Sequence, residues 1–80
     1  MPTPAANPLD QARQAVGLSQ ADLWMRYFGL GGMTDALELE AILQGLLVAT
    51  VDDHNRIAHA LNERFTELGG NHPVAYSEEG

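Results

Sequence analysis

Apolar residues recur along this chain at intervals of three and four, each run is announced by a small polar residue, and three of the four are closed by glycine. Such spacing puts the apolar side chains on one stripe of an α-helix, whose period is about 3.6 residues. The first run is Leu9, Ala12 and Val16, with Asn7 at its cap, Pro8 in the first turn and Gly17 at its end. A cap side chain accepts a bond from an amide that the first turn leaves unpartnered, and proline suits the first position because it lacks that amide. The pattern predicts a helix over 8–16.

The second run, Leu23, Trp24, Tyr27, Phe28 and Leu30, predicts a helix over 19–30. Ser19 and Asp22 form a capping box, and Leu18 ahead of the cap is placed to staple onto Leu23. Asp22 and Arg26 are four apart, the spacing at which opposite charges meet on a helix. Gly31-Gly32 closes the run. The third opens at a Thr34 cap, with Asp35 and Glu38 in the first turn, where the helix dipole favours acids. Leu39, Ile42, Leu43, Leu46 and Leu47 continue it, predicting a helix over 35–48. Gly45 then falls inside that helix, at a cost of about 1 kcal/mol relative to alanine. It is either tolerated there or marks close approach of another helix, within the fold or across a dimer. The fourth run has Thr50 and Asp53 as a second capping box, then Ile57, Leu61, Phe65 and Leu68, and stops at Gly69-Gly70. It predicts a helix over 51–68.

Four amphipathic helices joined by short links predict an all-α fold, a small bundle or orthogonal array in which sequential helices are neighbours. The expected organisation is a disordered stretch over 1–6, a helical domain over 7–70 and an extended, loose acidic tail over 71–80 that ends in Glu78 and Glu79. Eighty residues suffice for one domain. A domain of this size buries about 60 % of the surface its unfolded chain exposes. The sequence has no cysteine, which removes disulfides and thiolate metal sites. Such a domain depends on close helix packing or on a partner surface.

Charge narrows the function. The formal net charge is −7, from eleven acids against four bases. The bases are Arg13, Arg26, Arg56 and Arg64, and lysine is absent, a usage typical of GC-rich bacterial genomes. Without a basic stripe, direct binding to nucleic acid is not expected, nor is adsorption to an anionic membrane. No apolar run approaches the roughly 20 residues that span a bilayer. The stretch Met1–Ala6 lacks the basic segment and apolar core of a signal peptide, so a cytoplasmic location is expected.

Candidate chemistry is sparse. His54 and His59 are five apart and point in different directions on a helix, and no His-Glu-x-x-His pattern occurs, so no metal or cofactor is expected. His59 and Glu63 read as a solvated pair, and His72 before Pro73 as a turn residue. Ser19, Thr34 and Thr50 are accounted for as caps, while Glu38 and Glu40 diverge on their helix. Catalysis is not expected.

Two short stretches resemble known families. Residues 11–23, QARQAVGLSQADL, resemble the opening helices of the lambda-repressor-like helix-turn-helix family. The resemblance implies a capped helix from Ser19. It ends there, because WMRYFGLGG departs from that pattern and DALELEAILQGLL is Leu-rich and acidic where the family has a polar recognition helix. Residues 28–39, FGLGGMTDALEL, resemble the stretch around the prosthetic-group serine of acyl and peptidyl carrier proteins. That implies an acidic helical fold, but Thr34 stands where the serine is required, and the following chain leaves the carrier pattern.

What remains is surface. The second predicted helix is apolar around most of its circumference, as a central helix touching all the others would be, or as one with a side covered by a second chain. Trp24, Met25 and Phe28, with Leu47 on the third helix, are the candidate protein-interface residues, since aromatics and methionine are enriched at interfaces. The expected function is a non-catalytic interaction or regulatory module that binds protein, its own copy included. A second reading is an acidic decoy for the basic surface of a nucleic-acid-binding protein. A third is a metal or small-ligand binder.

Overall fold

The computed structural model describes residues 7–71 and 73–76, in which four helices and no strand occur: α1 Pro8–Ala15, α2 Gln20–Gly29, α3 Ala36–Leu43 and α4 Val51–Glu67. The expectations for residues 1–6, His72, Glu78 and Glu79 lie outside the described residues. The all-α, four-helix architecture is the one that the periodicity predicts.

Side-chain caps start the helices. Asn7 Oδ1 accepts from the Leu9 amide (2.9 Å), Ser19 Oγ from Asp22 (3.0 Å) and Thr50 Oγ1 from Asp53 (3.1 Å). The third cap is Asp35, whose Oδ1 accepts from the Glu38 amide at 2.8 Å. Thr34, the expected cap, is used elsewhere. Asn7 also donates from Nδ2 to the Ile42 carbonyl at 3.0 Å, so one cap ties the start of α1 to the end of α3.

All four helices end in the same device, a reversed amide that bonds back to a carbonyl of the last turn. The amides of Leu18, Gly32, Leu46 and Gly70 reach Arg13, Tyr27, Ala41 and Phe65 respectively. This corrects the third helix. It stops at Leu43 rather than 48, because Gly45 adopts φ +80° and reverses the chain. Left-handed backbone costs a residue with a Cβ roughly 1–2 kcal/mol, and glycine avoids it. Gly45 is therefore a terminator, and nothing lies within 4 Å of where its Cβ would be, so no helix approaches there.

α1 and α2 pack against the long α4, and α3 packs against α2. Sequential neighbours thus hold for α2 and α3, whereas the main partner of α1 is α4. Leu9, Leu23, Leu39, Ile57 and Leu61 are almost completely buried and join the stripes of all four helices in one core. The arginines then fasten helix ends. Arg13 Nη1 donates to the Leu18 carbonyl (2.8 Å), Arg56 Nε to Leu30 (3.2 Å) and Arg64 Nε to Val16 (3.4 Å). Arg26 makes a two-pronged contact with Glu67, both bonds 2.8 Å, across the α2–α4 junction. Its partner is therefore not the expected Asp22: the guanidinium turns to the helix it packs on, where one carboxylate accepts both prongs of its fork.

Candidate functional site

The residues that could carry acid–base chemistry converge where α2 meets the start of α4. Tyr27, fully buried, donates its hydroxyl to Asp53 Oδ1 at 2.7 Å and accepts the Thr34 amide at 2.9 Å. Thr34 donates its own hydroxyl to Asp53 Oδ2 at 3.0 Å, and its carbonyl accepts from Trp24 Nε1 at 3.0 Å. Burial pushes the Asp53 carboxyl up, but the bonds from Tyr27, Thr34 and Thr50 and the nearby Arg56 charge outweigh it, holding the group below its ordinary range. Every hydroxyl in this cluster is spent on another member. Among the described residues no buried side-chain polar atom lacks a partner. The cluster ties the α2–α3 turn to α4. Thr34, at the carrier-serine position, points its hydroxyl at Asp53 rather than outward.

The histidines do not meet. His54 Nε2 lies 3.0 Å from the Ala75 carbonyl, while His59 Nε2 is 3.8 Å from Glu63 and its Nδ1 is 3.3 Å from the Tyr76 hydroxyl. The solvated His59–Glu63 pair is as the spacing predicts. Among the described residues no three His, Asp or Glu side chains are grouped to hold a metal ion.

Three of the four candidate interface residues share α2 and one does not. Trp24 is half-buried and stacks on Phe28, with ring centroids 5.1 Å apart and planes 23° from parallel. Phe28 is 57 % exposed and Met25 62 %. Leu47 is 47 % exposed, but it sits beyond the end of α3. There it lines a concavity of about 330 Å³ with Ile42, Val48 and Ala49, to which no α2 residue contributes. The helical stripe counted Leu46 and Leu47 as inward positions, whereas the early stop leaves Leu46 and Val48 exposed as well. Met33 and Leu37 are also exposed and were not singled out by spacing.

A larger feature had one sequence signal, an asparagine adjoining the buried stripe of α4. Asn62 is 1 % exposed. Its Nδ2 donates to the Val74 carbonyl at 3.0 Å, and its Oδ1 accepts the Val74 amide at 2.9 Å. Residues 73–76, expected to be loose, are thereby fastened along α4. Beside them lies an open groove of about 700 Å³, walled by Leu9 and Ala12 of α1, Val51 and Phe65 of α4, and Val74. The surroundings are apolar, with His54 as a polar group at the wall.

Compared with protein families, with curated proteins and with solved structures, the chain matches none.

Proposed function

We propose that this chain is a small, acidic, non-catalytic module that binds another protein through the outer face of α2, and that a second copy of itself is one such partner. The supporting observation is the pairing of a rigid aromatic stack with uncovered apolar side chains: Phe28 and Met25 stand more than half exposed beside the half-buried Trp24. Aromatic side chains at the centre of a patch bury much area with little rotamer freedom to lose, and the flexible methionine side chain adapts to the surface it meets. A two-fold dimer would set this patch against itself. Light scattering during size-exclusion chromatography tests self-association. A dimer that dissociates on Met25→Glu with Phe28→Glu supports it, whereas a monomer throughout the micromolar range removes it. For a foreign partner, the same pair of substitutions is expected to abolish co-purification from native cells while leaving helical content unchanged.

A second reading draws on charge. All four arginines are committed to ion pairs with acids of the same chain: Arg13 to Asp10, Arg26 and Arg64 to Glu67, Arg56 to Asp52. The field outside the molecule is then set by the surplus acids of a chain whose formal charge is −7. Such a surface would suit the basic site of a nucleic-acid-binding protein. Steep weakening of that complex with salt distinguishes it from an apolar contact.

A further inference from the structure

We propose that the Asn62 clamp and the groove beside it form an acceptor site for an extended peptide, and that residues 73–76 occupy the clamp as a built-in competitor. The site lies between α1 and α4, on different residues from the α2 patch. A carboxamide that donates to the carbonyl and accepts from the amide of one residue reads backbone alone. It accepts any residue except proline. Buried as it is, Asn62 also requires such a ligand, because an unpartnered carboxamide in an apolar setting is costly. The next carbonyl, that of Ala75, meets His54 Nε2 at 3.0 Å, so two successive residues are held by their main chain.

The chain's own segment fits this site poorly. Pro73, Val74, Ala75 and Tyr76 form one wall of the groove, and about 700 Å³ stays open between them and α1. Pro73, Ala75 and Tyr76 are exposed, and the Tyr76–His59 contact is long, at 3.3 Å. The segment is held by side chains of α4 rather than by a helix or strand ladder, so another backbone that offers Asn62 the same two bonds can exchange with it. The occupant in trans is an extended segment of a partner protein carrying an apolar side chain larger than valine at the clamped position, where Leu9, Ala12 and Phe65 can receive it. The tethered segment competes at an effective concentration of about millimolar, which weakens any such partner until the tether is displaced.

The test uses the full chain and two capped hexapeptides, Asn-His-Pro-Val-Ala-Tyr, which copies residues 71–76, and the same peptide with leucine for valine. Binding is followed by the NMR signals of the Asn62 carboxamide and the His54 ring. Both peptides are expected to shift these signals, the leucine version at several-fold lower concentration. Val74→Pro removes the amide that Asn62 accepts and is expected to bind either peptide at least tenfold tighter than the unaltered chain. Val74→Asp, which puts a charge in the groove, releases the segment by another route and is expected to do the same. Met25→Glu and Phe28→Glu are expected to leave peptide affinity unchanged, so failure here leaves the α2 reading standing. Absence of any shift at Asn62 with millimolar peptide overturns the proposal. So does equal affinity in the unaltered and both Val74 chains.

Discussion

Gly32 is buried against the face of the Tyr27 ring, and a Cβ there would lie 2.3 Å from two ring carbons. The ring cannot retreat, because its hydroxyl is held at once by Asp53 and by the Thr34 amide. Gly32→Ala is therefore expected to cost about 2–3 kcal/mol, near the upper end of overpacking penalties, and urea denaturation measures it. Tyr27→Phe removes the hydroxyl alone. It leaves the Thr34 amide and one Asp53 oxygen without a protein partner, at an expected cost of about 1–3 kcal/mol. The same change takes away a bond that lowers the Asp53 carboxyl, so its titration is expected to move upward, which carboxyl-carbon NMR reads directly. The place of Thr34 before an apolar run suggested a cap, a role that Asp35 takes instead. The actual role of Thr34 was not legible, because Asp53 is nineteen residues away in sequence and only packing of the α2–α3 turn on α4 joins them.

At the scale of the element, α3 gives the sharpest contrast between pattern and fold. Its apolar residues keep helical spacing through Leu47, and a helix carried that far would place Gly45 in its interior. In that setting Gly45→Ala would stabilise the protein by about 1 kcal/mol. With φ at +80° it is expected instead to destabilise by about 1 kcal/mol, and the sign of the change in melting temperature decides. Glycine carries both meanings, interior defect and terminator. Leu46 and Leu47 favoured the first, and they are instead the apolar residues that follow the turn. The other boundaries were readable to within one residue, since their glycines stand where the apolar stripe stops. Asn62 escaped the sequence reading, because it adjoins the α4 stripe without belonging to it and its partner lies in a segment with no periodicity at all.

For the whole molecule, the ion pairs govern how stability falls away toward acid pH. The Arg26 guanidinium, bonded to Glu67 through two hydrogen bonds, lowers that carboxyl to about 2 against the opposing effect of burial, with help from Arg64. Asp53 is likewise held below its ordinary range. Both groups bind protons more weakly folded than unfolded. Their contribution is therefore present above the usual carboxylate range and is lost as pH falls through the folded-state values. Urea midpoints are expected to drop progressively between about pH 4.5 and pH 2, and Glu67→Gln to flatten part of that slope. Glu67 is half-exposed, so salt is expected to shrink its share, while the share of Asp53 persists. The candidate interface divides at this scale too. Trp24, Met25 and Phe28 fall together because one helix carries them, whereas Leu47 parts from them because the helix assumed to carry it had already ended.

The sequence by itself determined the number and kind of the elements, three of their four caps and the buried stripes of α1, α2 and α4, because caps, terminators and a period of about 3.6 act over a few neighbouring residues. Tertiary structure alone decided that Thr34 serves Tyr27 and Asp53, that Arg26 takes Glu67, and that Asn62 receives Val74. Those partners are matched by satisfaction of buried donors and acceptors across elements, a condition that has no period along the chain and exists only once the helices have met.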